Sequence, residues 1–161
     1  MILSKKHFAI SLLIALITLL LDQGSKWWVV SVVDLPSQRI IEVTSFFNLA
    51  MVWNHGVSFG MFSSHQQPLL LSAVAIGIVG VLLVWLAKSH DRFLTCGIGL
   101  IIGGAIGNVI DRLRFQAVVD FLDFHAFGYH WPAFNIADSG IFIGVVVLCI
   151  QSMMQPSKSK P

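Results

Sequence analysis

Residues 69–87 read LLLSAVAIGIVGVLLVWLA, nineteen positions without a charge. About 20 mostly apolar residues in a helix cross the hydrocarbon core of a bilayer, so this stretch is long enough to span one. The rest of the chain agrees with it. Of 161 residues, 56% are hydrophobic and 11% charged, and the mean hydropathy is +0.82. A soluble domain carries about 25% charged residues. This chain cannot cover a water-facing surface, which excludes a soluble globular fold, a disordered chain, collagen and a coiled coil. The net charge of +2 is too small to argue for nucleic acid.

Residues 93–110 and 139–155 are also free of charge, and the second extends back to Ile136 if Asp138 sits at the interface. The first apolar run starts at Phe8, is uninterrupted to Leu21, and continues through Asp22 and Lys26 to Val33. No small-residue cleavage site follows it, so it reads as an uncleaved helix rather than a signal peptide. Asp22 and Lys26 are four apart, share a helix face and neutralise each other, with Lys26 snorkelling outward. The chain is therefore read as one membrane domain, residues 1–161. Its spans fall at about 8–33, 69–87, 93–110 and 136–155, and its outer segments at about 34–67 and 111–135. The expected fold is a mainly α, four-span integral membrane bundle with a small extracytoplasmic β-containing platform and a short interfacial helix. Gly99, Gly103 and Gly107, with Gly140 and Gly144, have the spacing that lets helix backbones approach in lipid. Cys96 and Cys149 read as buried, unreactive thiols. The six histidines show no metal-ligand spacing.

Four spans put both termini on one side. Lys5, Lys6, Lys88, Arg92, Lys158 and Lys160 share it, against Lys26, Arg39, Arg112 and Arg114 on the other, which makes the termini cytoplasmic. The acids are more lopsided. Asp22, Asp34, Glu42, Asp111, Asp120, Asp123 and Asp138 lie at or near the outer side and Asp91 alone inside. Insertion does not require that imbalance.

In the first outer segment, Phe47, Leu49, Met51 and Trp53 alternate with their neighbours at the period of a strand, and residues 39–44 can pair with it after the Pro36 turn. Residues 57–63 form a short apolar stretch expected in the membrane interface. The segment is either a structural cap or a platform for an extended peptide. The second outer segment carries carboxylates at 111, 120, 123 and 138. Ionisable groups at membrane depth mark a functional site by default. There is no recognisable Ser–His–carboxylate triad, Cys nucleophile or metal cluster. Two close carboxylates share a proton, so that one serves as base on a water while the other polarises a carbonyl, which is the chemistry of an aspartyl peptidase. Spacing leaves open which two of the four do so. Asn135 reads as an N-cap with Asp138 in the first turn, at the positive end of its helix. Asp111, at a helix C-terminus, reads as structural and in need of a cation from Arg112 or Arg114.

At these residues the chain resembles the lipoprotein signal peptidase family, signal peptidase II, over nearly its whole length. The matching segments are Asp22-Gln-Gly-Ser-Lys26, Asn54-His-Gly-Val-Ser-Phe59-Gly, the run from Gly103 through Gly107 and Asn108 to Asp111-Arg112, Val118-Val-Asp120-Phe, and Phe134-Asn135-Ile-Ala-Asp138-Ser. His55 and Val57 are minor variations in the second. The resemblance implies an aspartyl endopeptidase of the bacterial inner membrane, acting at the outer interface on diacylglyceryl-modified prolipoproteins just before the lipidated cysteine. It implies Asp120 and Asp138 as the catalytic pair. Asn54, Asn108, Arg112 and Asn135 would line the site, and Asp22, Lys26, Asp111 and Gly56 would support it. It implies no metal or organic cofactor. Membrane lipid is the other expected partner, and an internally packed bundle suggests a monomer.

A four-span transporter or channel is the main alternative. It normally places a carboxylate in mid-span, and the second to fourth spans here have none. A docking subunit is a weaker one, having no need of seven acids on one face.

Overall fold

The computed structural model describes residues 5–56, 66–89 and 91–154. The interfacial segment expected at 57–63 lies outside the described residues. Helix α1 (Lys5–Trp27) runs into a π-helical turn (Trp28–Val32) and is followed by the single turn α2 (Leu35–Gln38). Strands β1 (Ile40–Thr44) and β2 (Phe47–Asn54) come next, then helices α3 (Gln66–Lys88) and α4 (Arg92–Phe115). Strands β3 (Val118–Ala126) and β4 (Tyr129–His130) precede the last helix, α5 (Ile136–Met154).

The four long helices, α1 with its π turn, α3, α4 and α5, are each long and apolar enough to cross a membrane. They fall where the apolar runs lie. The largest boundary difference is in α4, which continues five residues past Ile110. The polar residues there extend the same ladder until Gln116 adopts a left-handed φ of 58° and donates its N–H to the Arg112 carbonyl. At the other end Asp91 caps α4, its side chain accepting from Leu94 N at 2.9 Å.

Helix α4 is the hub. Within its apolar window 72% is buried inside the protein, against 17–22% for the other three. Lipid tails are as apolar as leucine, so helices associate here by close packing rather than by hydrophobic force. The glycines make that approach possible. A Cβ at Gly99 would stand 2.7 Å from the Ser11 carbonyl, and one at Gly103 would run into the Ala15 carbonyl. On the other flank a Cβ at Gly104 would strike the Ala137 carbonyl, and Gly97 and Gly144 face each other's carbonyls. The expected glycine contacts are present, and Gly97 and Gly104 join them. Ala15, Leu82, Leu86, Leu94, Ile98, Ile101 and Ile102 form the apolar core of α1, α3 and α4.

The thiols depart from expectation. Cys149 is exposed and Cys96 half-buried. Helix α5 packs through Ala137, Gly140 and Gly144, a face that Cys149 does not share.

The sheet is antiparallel in the order β1-β2-β3-β4. The β1–β2 hairpin is the one expected from alternation. Strand β3 is a further element, paired to β2 from Phe47↔Phe124 to Asn54↔Val118. One face of β3, Val119 and Phe121, packs on Val29 and Leu35 and fixes the sheet to the end of α1. Its other face carries Asp120.

Gly103→Leu should lower stability by about 2 kcal/mol or more, because a backbone carbonyl occupies the space its side chain needs. Gly77→Ala, where a Cβ meets nothing within 4 Å, should leave stability unchanged or raise it by up to about 1 kcal/mol. Thermal unfolding of both variants in one detergent checks the contrast.

Candidate active site

A charge buried in a bundle that lies in lipid must be paired and fully hydrogen-bonded. Asp22, Lys26 and Asp111 are 0%, 4% and 1% exposed. The Lys26 ammonium lies 2.8 Å from a carboxylate oxygen of Asp22 and 2.8 Å from one of Asp111, joining α1 to α4. The remaining acceptor capacity is also used. Gln23 Nε2 donates to Asp22 Oδ2 at 3.1 Å and to Asp111 Oδ1 at 2.9 Å. The Ala137 N–H, in the first turn of α5, donates to Asp22 Oδ1 at 2.9 Å, and the Val119 N–H to Asp111 Oδ2 at 3.1 Å. Gly107 makes room for this, since a Cβ there would stand 2.5 Å from Asp22 Oδ2.

Two expectations are corrected here. Lys26 does not snorkel: two carboxylates hold it inside. Asp111 takes its cation from Lys26, not from Arg112 or Arg114. Those two lie one and three positions further along the helix. Arg112 Nη1 donates to the Asn108 carbonyl at 3.4 Å, and Arg114 lies over the Phe115 ring at 4.9 Å.

From Lys26 the network passes through three asparagines. Lysine can only donate, so the Asn108 oxygen, 3.1 Å from Nζ, must face it and the Asn108 amide must face away. That amide donates to Asp138 Oδ1 at 2.8 Å. Asn135 caps α5: its side-chain oxygen accepts the Asp138 N–H at 2.9 Å, while Asp138 Oδ2 accepts the Asn135 N–H at 3.3 Å. This is the expected cap, in the reciprocal form of a capping box. The Asn135 amide is left to donate to Asp120 Oδ1 at 2.7 Å. Asn54, the last residue of β2, repeats the arrangement. Its oxygen accepts the Gly56 N–H at 3.0 Å and its amide donates to Asp120 Oδ2 at 2.9 Å. Gly56 has φ of +101°, and a Cβ on it would stand 2.5 Å from Leu71 Cδ1. Each carbonyl is occupied by a donor that fixes which way its amide points.

Strand β3 and the first turn of α5 thus bring Asp120 and Asp138 into one network. Asp120 is 1% exposed and Asp138 half-buried. Burial, followed by the nearby Asp138 charge, pushes the Asp120 carboxyl up to about 6, against the lowering effect of the Asn54 and Asn135 amides. Asp123 does not join them. It lies on the opposite face of β3, bound by Asn48 at 3.0 Å and by His130 at 2.9 Å. Beside Asp138 an apolar groove of about 450 Å³ runs between Trp131, Phe134, Phe142 and Ile143.

The ten residues expected at the site, Asp22, Lys26, Asn54, Gly56, Asn108, Asp111, Arg112, Asp120, Asn135 and Asp138, fall in or directly against this network. Sequence reading missed Gln23, which bonds both structural carboxylates and the Gly107 carbonyl at 3.2 Å. The signal for it was an amide placed beside Asp22 in an otherwise apolar helix.

Known proteins share this architecture. The family model described as signal peptidase (SPase) II matches residues 14–154. The lipoprotein signal peptidase of Rhodopseudomonas palustris (strain TIE-1) is 45% identical over 152 residues, 90% of this chain and 92% of that protein. That of Nitrobacter hamburgensis is 41% identical over 152 residues, covering 91% and 93%. A bacterial membrane enzyme solved by the in meso method at 1.9 Å resolution superposes with a TM-score of 0.80 at 32% identity, over 91% of this chain and 94% of that one. None of these supports a transporter or channel. The matched stretch runs from within α1 to the last residue of α5 and contains every residue of the polar network, and the chain belongs to the signal peptidase II family of membrane peptidases.

Proposed function

We propose that this chain removes the signal peptide from diacylglyceryl-modified prolipoproteins, cutting on the N-terminal side of the lipidated cysteine, with Asp120 and Asp138 as its catalytic pair. The observation that carries the proposal is the convergence of amide donors on those two carboxylates. Asn54 and Asn135 aim at Asp120, and Asn108 aims at Asp138.

In the proposed reaction the ionised carboxylate takes a proton from water as the water oxygen bonds to the scissile carbonyl carbon. The protonated carboxyl donates to the carbonyl oxygen, where negative charge develops. The proton taken from water then goes to the leaving nitrogen as the C–N bond breaks, and the pair returns to a single proton. Asp120 is the member assigned that proton. Burial already raises it to about 6, and substrate that excludes more water raises it further. Asp138, at the positive end of α5 and hydrogen-bonded by Asn108, is assigned the base role. Asn54, Asn108, Asn135 and Arg112 line the site, while Asp22, Lys26, Asp111 and Gly56 hold them in position. The groove beside Asp138 opens on Phe142 and Ile143, two exposed residues of α5. A diacylglyceryl tail can stay in lipid there while the scissile bond reaches the carboxylates. Residues 1–161 act as one membrane domain of the bacterial inner membrane, with cytoplasmic termini and the site at the outer face, as the basic residues argue.

Asp120→Asn and Asp138→Asn should each abolish cleavage of a lipidated precursor while leaving the protein inserted. Run beside an unlipidated precursor, the wild type should cleave the lipidated one far faster, and equal rates would remove the lipid requirement. A reporter fused after Lys160 should read as cytoplasmic and one in the 115–130 segment as external; the reverse would put the carboxylates on the wrong side.

The raised pKa also predicts a stability trend. Folded Asp120 holds its proton more tightly than the unfolded chain, whose value is near 3.8. The stability this confers is full below about pH 4 and is lost as pH rises through about 6. Asn stays neutral throughout. Asp120→Asn should therefore gain on the wild type between pH 4 and 6 and level off above 7, by about 3 kcal/mol at most. Loss of an amide hydrogen bond shifts this difference by a constant and leaves its slope. Denaturation of both proteins across that range is the check, and a pH-independent difference would refute the assignment.

A further inference from the structure

The β3–β4 hairpin turns through Phe127 and Gly128, with Ala126 paired to Tyr129 and His125 to His130. A two-residue turn of this kind needs positive φ at both positions, which is why Asn-Gly is its usual sequence. Here Phe127 takes φ of 51° and Gly128 φ of 79°. A bulky side chain rarely adopts that conformation. Phe127 also gains no packing among the described residues: it is 102% exposed, with Tyr129 at 83% and Trp131 at 70%.

The two faces of the hairpin differ. His130 contacts Asp123 and stacks on His125 at 4.8 Å, and Asn48 donates to the same Asp123. The opposite face carries Phe124, Tyr129 and Trp131, with the Trp131 N–H donating to the Phe124 carbonyl at 2.8 Å. Alternation continues across both strands, so the ribbon is amphipathic.

The position of the apolar face identifies what covers it. Trp131 borders the groove together with Phe142 and Ile143 of α5, which are 70% and 51% exposed along a membrane-spanning helix. The aromatic face is therefore continuous with a surface that lies in lipid. Trp27 and Trp28, at the sheet end of α1, are also exposed, at 63% and 47%. Tryptophan and tyrosine concentrate where hydrocarbon meets headgroups, because each has an apolar body and a polar handle.

We propose that the hairpin tip, residues 127–131, is seated in the bilayer interface beside the first turns of α5, where its aromatic face contacts lipid and holds the sheet against the membrane. Seating the tip also limits rocking of β3, the strand that carries Asp120.

The test uses the full chain carrying Cys96→Ala and Cys149→Ala, reconstituted in phosphatidylcholine vesicles without substrate. Phe127→Cys and Tyr129→Cys are nitroxide-labelled one at a time. Phe142→Cys serves as the lipid-facing reference and Glu42→Cys, exposed on β1, as the water-facing one. Collision rates with oxygen and with a water-soluble nickel chelate are read by power saturation. Labels at 127 and 129 should favour oxygen several-fold over the Glu42 reference and approach the Phe142 ratio. A ratio equal to that at Glu42 overturns the proposal. So does spin–spin broadening that disappears on dilution with unlabelled protein, which would put a second copy of the chain on this face. Both labelled positions are surface sites whose side chains leave the core untouched. The readout needs no catalysis, so its failure is separate from any failure of the proposed peptidase reaction.

Discussion

The cost of placing Lys26 inside the bundle organises this molecule. An ammonium buried among apolar helices is strongly disfavoured unless anions and hydrogen-bond acceptors surround it. Asp22 lies one turn away on α1 and Asp111 across the interface on α4, each 2.8 Å from Nζ. Satisfying those carboxylates in turn recruits the first turn of α5 through Ala137 and the start of β3 through Val119. One buried cation thus draws α1, α4, α5 and the sheet to a common point. The glycine contacts along α4 act in the same direction, since without them the helices could not approach closely enough for the charges to meet.

Direction matters as much as proximity. An asparagine can present either its oxygen or its amide, and a carboxylate cluster needs the amide. Lys26 settles this for Asn108, the α5 backbone settles it for Asn135, and Gly56 settles it for Asn54. The structural charges and the two carboxylates proposed to react are therefore linked by the polarity of hydrogen bonds. Removing Lys26 would leave two buried anions unpaired, a change worth about 3–5 kcal/mol, and would leave the Asn135 amide, at 3.2 Å, as the remaining donor to the Asn108 oxygen.

Much of this was legible from residues alone, for physical reasons. A span in lipid is uniformly apolar, so residues 69–87 and their counterparts stand out, and α1 was followed through Asp22 and Lys26 because apolar residues resume at Trp27. The β1–β2 hairpin showed a clean period of two. Strand β3 did not: its acids at 120 and 123 are three apart and fall on opposite faces, which conceals the alternation. Sequence spacing points Asp111 to the arginines of its own helix, but Arg112 is turned about 100° away and Arg114 lies over the Phe115 ring, while the partner, Lys26, comes from another helix. The side-chain chain of command through Gln23 and the asparagine carbonyls depends on tertiary approach, which spacing does not encode.

The same constraint explains why the carboxylates lie where bundle meets sheet. Asp120 sits on a strand whose opposite face, Val119 and Phe121, is anchored in the apolar cluster around Val29 and Leu35. The strand cannot tilt Asp120 away without exposing that cluster. Asp138 sits in a helical first turn, where the backbone amide of Asn135 meets it as part of the cap. One carboxylate is positioned by packing beneath a sheet, the other by the geometry of a helix end, and both are joined to the buried lysine through amides. A pair built this way tolerates mutual repulsion because neither member can move apart to relieve it. The unfavourable burial of Asp120 is then a cost maintained by the rest of the fold, and it is this cost that raises the carboxyl to about 6 and favours its protonated form, as the acid role proposed for it requires.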